Sequence, residues 1–302
     1  MRIFLTGATG FVGSLILTEL QSAGHQVLGL TRSESGARKL AAAGADVHRG
    51  TIEDLDSLRA AADRVDAVIH TAFDHDFTTY AANCEKDRAA ILAMGSVLRG
   101  SQRPLVITSA TGMGDVGEGR PAVEHIFNAD YPIPRVASEL AGHALLQSGV
   151  DVRVVRLPQV HDTVKQGLIT PYVEHARKAG SVGYLGEGND CWSAAHVTDV
   201  ARLYVRVLEA GRMGARYHAV AEEGVMFRHI AEAVATGLDL PPVSLSAAEA
   251  EAHFGWLSIF IGLDKSASSD WTREQLGWEP IGPTLLSDLR AMDYAVSEQG
   301  AA

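Results

Sequence analysis

Arg2-Ile3-Phe4-Leu5-Thr6-Gly7-Ala8-Thr9-Gly10-Phe11-Val12-Gly13 is the stretch on which the fold turns. Ile3, Phe4 and Leu5 have the apolar character of a buried strand, and the glycines at 7, 10 and 13 lead into a segment of helical period. Gly7 permits a tight turn, Gly10 lets backbone approach a pyrophosphate, and Gly13 lets the helix pack closely on the strand. The helix N-terminus adds N–H donors and a partial positive charge. A lone glycine triplet is weak evidence. A triplet between an N-terminal strand and a helix, with a second strand at the expected distance, specifies a dinucleotide site built from Gly7, Thr9, Gly10, Phe11, Val12 and Gly13.

Outward from this loop, short apolar runs alternate with longer amphipathic segments, the pattern of strands joined by crossover helices. Strands are expected near Ile3–Leu5, Gln26–Leu30, Asp46–His48, Ala67–His70, Leu105–Thr108 and Val152–Val155. The expectation is an α/β protein, a doubly wound parallel Rossmann sheet with a smaller, interleaved C-terminal substrate lobe. Residues 1–157 read as the dinucleotide-binding domain and 158–302 mainly as the lobe, with about 193–222 returning to the first domain. After Arg156-Leu157-Pro158 the stretch with Pro171, Gly180, Gly183, Gly186 and Gly188 reads as loop-rich. A helix is expected over Thr198–Glu209 and a strand over Tyr217–Ala221. Ser246 to Glu249 and Thr272 to Gln275 have capping-box spacing and mark two later helix starts.

The chain has 302 residues and a net charge of -11, and its 26 basic residues form no dense run, which argues against a nucleic-acid partner. Cys84 and Cys191 make no metal-type pair and fit a reduced, cytoplasmic setting. A strand beginning at Arg2 leaves no room for an export leader, and no apolar run reaches the roughly 18 residues of a membrane span. The expected partner is a small-molecule substrate, with a homodimer as an option.

After the second strand, where an acid would accept from the ribose hydroxyls of NAD, the chain has Thr31-Arg32-Ser33. Arg32, with Arg38 on the following helix, can pair with a 2′-phosphate and Ser33 can add a hydrogen bond, so NADP(H) is the expected cofactor.

The chain resembles the extended and atypical short-chain dehydrogenase/reductase superfamily, also known as the NAD-dependent epimerase/dehydratase group. The motifs are Thr6-Gly7-Ala8-Thr9-Gly10-Phe11-Val12-Gly13, Val68-Ile69-His70-Thr71-Ala72-Phe73, Ile107-Thr108-Ser109-Ala110-Thr111-Gly112 and Arg156-Leu157-Pro158. The resemblance implies that Thr51 and Ile52 lie beside the adenine, Ala72 and Phe73 along the ribose, and Leu157 and Pro158 near the nicotinamide. It also implies that Ser109 is the catalytic hydroxyl that binds the substrate's carbonyl or hydroxyl oxygen.

The family's acid/base pair is a Tyr four residues before a Lys, and none of the seven tyrosines here has a Lys at that spacing. Aligning Ser138-Glu139-Leu140-Ala141-Gly142 with the family's helix puts Arg135 at the Tyr position and Glu139 at the Lys position. Three readings follow. In the first, the chain is an NADPH-dependent carbonyl reductase in which Ser109 polarises a carbonyl, Tyr131 or a water gives the proton, and Arg135 orients cofactor or stabilises an oxyanion. The second is an epimerase- or isomerase-like enzyme acting on a sugar-like substrate. The third is a non-catalytic NADP(H)-sensing protein. His70, Asp74, His75 and Asp76 lack a metal-ligand spacing, and no metal is expected. His161-Asp162, after the last Rossmann strand, reads as a solvent-facing loop by default, with a place facing the active cleft as the alternative. His253 to Ile261 is strongly apolar and reads as core by default, with a pocket wall or dimer face as alternatives. If it lines the pocket, with Trp192 and Tyr184 nearby, the substrate is apolar.

Overall fold

The structure is a computed structural model describing residues 1–117 and 119–295. Strand and helix alternate through the first half: β1 (Arg2–Thr6), α1 (Phe11–Ser22), β2 (Gln26–Thr31), α2 (Glu34–Ala42), β3 (Asp46–Arg49), α3 (Leu55–Ala62), β4 (Ala67–His70), α4 (Tyr80–Ser96), β5 (Leu105–Ala110), α5 (Val136–Gln147) and β6 (Val152–Leu157). There follow β7 (Gln159–His161), α6 (Ile169–Ala179), β8 (Val182–Leu185), β9 (Cys191–His196), α7 (Val197–Ala210), β10 (Arg216–His218) and β11 (Glu222–Met226). The chain closes with α8 (Phe227–Leu238), β12 (Pro242–Leu245), α9 (Ala247–Phe254), α10 (Asp270–Leu276) and α11 (Leu285–Ala291).

The main sheet has the order β10-β6-β5-β4-β1-β2-β3 and is parallel throughout. It is the doubly wound Rossmann sheet. Its strands are apolar runs because helices cover both faces. Alternation along β1 sends Ile3 and Leu5 into a core with Ile16 of α1 and Val200 of α7, and Phe4 into the opposite core with Leu58, Ile91 and Leu145. The winding reverses between β1 and β4, which opens a crevice beyond their carboxyl ends.

The stretch after Pro158 is more regular than a loop-rich reading allows, since it contains β7, α6 and β8. Pro171 sits in the first turn of α6, where its missing N–H costs nothing, and Gly180 ends that helix at φ 69°. These residues marked helix boundaries rather than loop. β9 joins β7 and β11 in a separate sheet, and the strand expected at Tyr217–Ala221 ends at His218. Ser246 and Glu249 form the expected reciprocal cap on α9. Thr272 starts no helix: α10 begins at Asp270, and the Thr272 N–H and hydroxyl both donate to buried Glu124, which needs them. No helix among the described residues is long and apolar enough to cross a membrane.

A buried ion pair ties α5 to β6. Arg156, fully buried, donates Nε to Glu139 Oε1 at 2.7 Å and a terminal nitrogen to Oε2 at 2.9 Å. Its other N–H groups reach the carbonyls of Met113, Val123 and Ile126, and Nε2 of His218 accepts from it at 3.2 Å. Burial, then the charge of Arg156, lowers the His218 pKa to about 3, so the ring stays neutral and accepts. Arg156→Met leaves buried Glu139 with Arg216 as its one cation among the described residues and takes the donor from the carbonyls of Met113, Val123 and Ile126, and should lower stability by about 3–5 kcal/mol in urea unfolding at neutral pH. The double variant Arg156→Met, Glu139→Leu should recover only part of that loss, because the three carbonyls stay without a donor and Arg216 loses its carboxylate.

Candidate active site

The glycine loop is shaped by contacts only glycine permits. Gly7 has φ 71°, and a Cβ there would come within 2.7 Å of Thr71 Oγ1 and 2.8 Å of Ala72 N. A Cβ on Gly13 would land on the Gly7 carbonyl oxygen. Gly10 caps α1 without a side-chain hydrogen bond, and no acid lies in the first turn. Among the described residues, no acceptor meets the N–H groups of Phe11, Val12 and Gly13. This is an uncommitted donor set at a helix N-terminus, suited to an anion. Thr9 is exposed on the same turn.

At the end of β2, Arg32 and Arg38 are exposed and make no hydrogen bond or ion pair among the described residues. Ser33 caps α2, its hydroxyl accepting from Gly36 N–H at 3.0 Å. Arg49, at the end of β3, donates to the Ser33 carbonyl at 2.6 Å and adds a third cation that the sequence reading missed. Thr51 is exposed just beyond, and Ile52 packs on the core under α3.

At the switch point the hydroxyl of Thr6 accepts from Thr71 N–H and Ala72 N–H, both at 3.2 Å. Its one proton is thereby left for His70 Nδ1 at 2.7 Å, so His70 carries its own proton on Nε2 and donates to Asp87 Oδ1 at 3.0 Å. Asp87 has no exposed surface, and its Oδ2 accepts from Arg135 at 2.7 Å and from Ser138 Oγ at 2.6 Å. Arg135 also donates to the Thr108 carbonyl at 3.1 Å and lies 4.1 Å over the Phe73 ring. Thr108 Oγ1 donates to the His70 carbonyl, so Tyr204 OH donates to Thr108 at 2.6 Å. Arg135 and Phe73 are therefore brought together, with the guanidinium committed to structural partners. Asp74 and Asp76 accept from local backbone N–H groups instead of converging with His70.

Ser109 follows Thr108, pairs in register with Arg156, and is buried with an Oγ that has no hydrogen-bond partner among the described residues. Tyr131 lies outside α5 and packs its phenol on Gly112, where a Cβ would come within 2.5 Å of the hydroxyl. Burial, then the charge of Asp115, raises the phenol's pKa. Leu157 and Pro158, both half-buried, follow at the end of β6, Leu157 beside Ala110. Glu139, at the Lys position, points into the Arg156 ion pair.

His161 corrects the solvent-facing expectation. It is fully buried in β7 and bonds Asp288 of α11 at 2.7 Å, because pairing of β7 with β9 draws the segment inward. Trp192 is likewise core, packed on Phe227. Phe254, Leu257, Phe260 and Ile261 are buried, whereas Trp256 is 36% exposed and stacks on Phe77 from the loop after β4 at 4.6 Å. The apolar stretch 253–261 thus joins the substrate side to that loop.

Burial works to raise the Asp87 pKa, but the charge of Arg135 and the hydrogen bonds from His70 and Ser138 outweigh it and hold the carboxyl at about 2. Its stabilising contribution is complete above the ordinary value of 3.8 and is lost as pH falls through about 2. Asp87→Asn should cost about 3–5 kcal/mol at neutral pH. The gap between wild type and variant in urea unfolding should narrow as pH falls from about 4 towards 2.

Residues 3–221 match the model of the NAD dependent epimerase/dehydratase family. An uncharacterized protein of Schizosaccharomyces pombe is 43% identical over 295 residues, covering 97% of this chain and 100% of that protein. The 4-hydroxy-2-methyl-3-oxo-4-farnesyl-3,4-dihydroquinoline-1-oxide ketoreductase of Stigmatella aurantiaca is 24% identical over 310 residues, 92% of each chain. The solved structure of the Thermus thermophilus UDP-glucose 4-epimerase in complex with NAD superposes with a TM-score of 0.73 at 21% identity, covering 98% of this chain and 99% of that one. The chain belongs to the NAD dependent epimerase/dehydratase family.

Proposed function

We propose that the protein is an NADPH-dependent carbonyl reductase acting on a small, apolar molecule. The observation that carries this reading is Ser109 Oγ, a buried hydroxyl at the carboxyl end of β5 without a hydrogen-bond partner among the described residues. Such an atom is costly unless a ligand completes it. The glycine loop fits a dinucleotide by the same test, since its cradle excludes a Cβ and its helix amides have no acceptor. The free N–H groups of Phe11, Val12 and Gly13 would hold the pyrophosphate, with Arg32, Ser33 and Arg38 at the 2′-phosphate. Thr51 and Ile52 would border the adenine, Ala72 and Phe73 the ribose, and Leu157 and Pro158 the nicotinamide. When bound, NADPH supplies a hydride.

The chain's own part is binding, orientation and proton delivery. Ser109 donates to the substrate's carbonyl oxygen, and Tyr131 supplies the proton. A phenol with a raised pKa gives up a proton to a developing alkoxide but is a poor base, which favours reduction over an oxidise-and-return epimerisation. Arg135 acts as a positioning residue that holds the Thr108 carbonyl and Phe73. The wall of Phe77, Trp256 and Phe260 suits an apolar substrate, and the likeness to a ketoreductase supports the reaction class. The commitment of Arg135 and Glu139 to buried ion pairs favours a second reading, an NADP(H)-binding protein without turnover. Tight NADPH binding with no consumption against ketones, aldehydes and imines would select it.

With a ketone that the wild type reduces, Ser109→Ala should lower kcat/KM about 100- to 1000-fold and leave the NADPH dissociation constant within about twofold. Tyr131→Phe should lower kcat about 100-fold. Full activity in both variants sinks the mechanism. Arg32→Ala should raise KM for NADPH about 10- to 100-fold and leave KM for NADH unchanged. An unaltered preference between the two cofactors would remove the NADP(H) assignment.

A further inference from the structure

Three arginines surround the turn between β2 and α2, and the protein holds them differently. Arg32 and Arg38 are exposed and have no hydrogen bond or ion pair among the described residues. Arg49 is anchored. It is the last residue of β3, pairs in register with Thr31 at the end of β2, and is followed by Gly50, whose N–H donates to the Thr31 carbonyl at 3.1 Å. From that base its guanidinium reaches over the turn, and one terminal nitrogen donates to the Ser33 carbonyl at 2.6 Å. The same nitrogen lies 3.4 Å from a carboxylate oxygen of Glu34, the first residue of α2.

The anchored guanidinium is incompletely used. Its Nε and second terminal nitrogen make no hydrogen bond among the described residues, and 48% of the side chain is open to solvent. These N–H donors of a planar fork remain for a ligand. A side chain already fixed by a backbone carbonyl also loses less rotamer freedom on meeting an anion than Arg32 or Arg38 would. Glu34 is 71% exposed and sits in the first turn of α2, where the helix N-terminus favours an acid whether or not Arg49 is paired with it. Releasing it to water costs little, since an exposed ion pair is weak.

We infer that Arg49 is a specificity-determining residue for the 2′-phosphate of NADP(H), with Glu34 as the anion that it exchanges for that phosphate. The inference rests on the cofactor reading proposed above. A phosphate monoester carries up to two charges and several terminal oxygens, so it outcompetes a single exposed carboxylate for a planar guanidinium. The Ser33 contact survives the exchange, because the carbonyl and the phosphate use different nitrogens of the fork. NAD(H) brings a hydroxyl in that place and has no such claim on Arg49, so the Arg49–Glu34 pair persists beside it. Arg49 thus adds to NADP(H) affinity, and Glu34 subtracts from it.

The test is calorimetric binding to the full chain of 2′,5′-ADP and 5′-AMP, which differ in the 2′-phosphate alone and carry no nicotinamide. Wild type should prefer 2′,5′-ADP about tenfold or more. Arg49→Met should reduce that preference about tenfold and leave 5′-AMP affinity within about twofold. Arg49→Lys, which keeps the charge and loses the fork, should fall between the two. Glu34→Gln should raise the preference about threefold on its own and have no effect beside Arg49→Met, because the acid acts by occupying Arg49. An equal loss of both nucleotides in Arg49→Met overturns the role of Arg49 as a reader of the phosphate. A preference that Glu34→Gln leaves unchanged, or raises as much in the Arg49→Met background, overturns the exchange. Equal binding of the two nucleotides by wild type removes the NADP(H) assignment and this inference with it. A wild-type preference that Arg49→Met leaves intact removes this inference alone.

Discussion

Asp87 is a carboxylate with no exposed surface, and a charge in that position must be met by donors from several directions at once. Those donors come from β4 through His70, and from the entry to α5 through Arg135 and Ser138. Each is in turn fixed elsewhere: His70 by Thr6 of β1, Arg135 by the Thr108 carbonyl of β5. One anion on α4 thus determines where α5 begins and how the ends of β1, β4 and β5 stand to one another. Ser109, one residue beyond Thr108, inherits its place from that arrangement.

The clamp between β1 and the loop after β4 bears on ligand binding. Thr6 holds the Thr71 and Ala72 amides, and Gly7 packs against the same two residues. The two sides of the crevice are thus ordered before a ligand arrives. Binding there pays little conformational entropy for loop ordering, which is the advantage of a preorganised site.

The central strands were legible because a parallel sheet covered on both faces demands continuous apolar runs, and the glycine loop because only glycine tolerates its contacts. The smaller sheets were not. Their strands are short, and the Pro171 and Gly180 that bound α6 are the same residue types that mark loops. Ser109 could be found from its motif. Asp87 and Arg49 could not, since their meaning lies in partners brought together only by folding: Asp87 with Arg135, Arg49 with Ser33 and Glu34. Arg156 was visible as a motif residue, but its role as counter-charge to Glu139 was not.

The Glu139–Arg156 pair also constrains which substitutions the chain can accept in succession. A lysine at 139, where the family's relay has one, would set a third cation beside Arg156 and Arg216, with no anion left between them. A tyrosine at 135 would abandon Asp87 without its cation. Each step towards the Tyr–Lys pair is therefore harmful alone and becomes tolerable only once the opposing charge has changed. This is strong epistasis, and it separates the present chain from relay-bearing relatives by a valley rather than a single mutation.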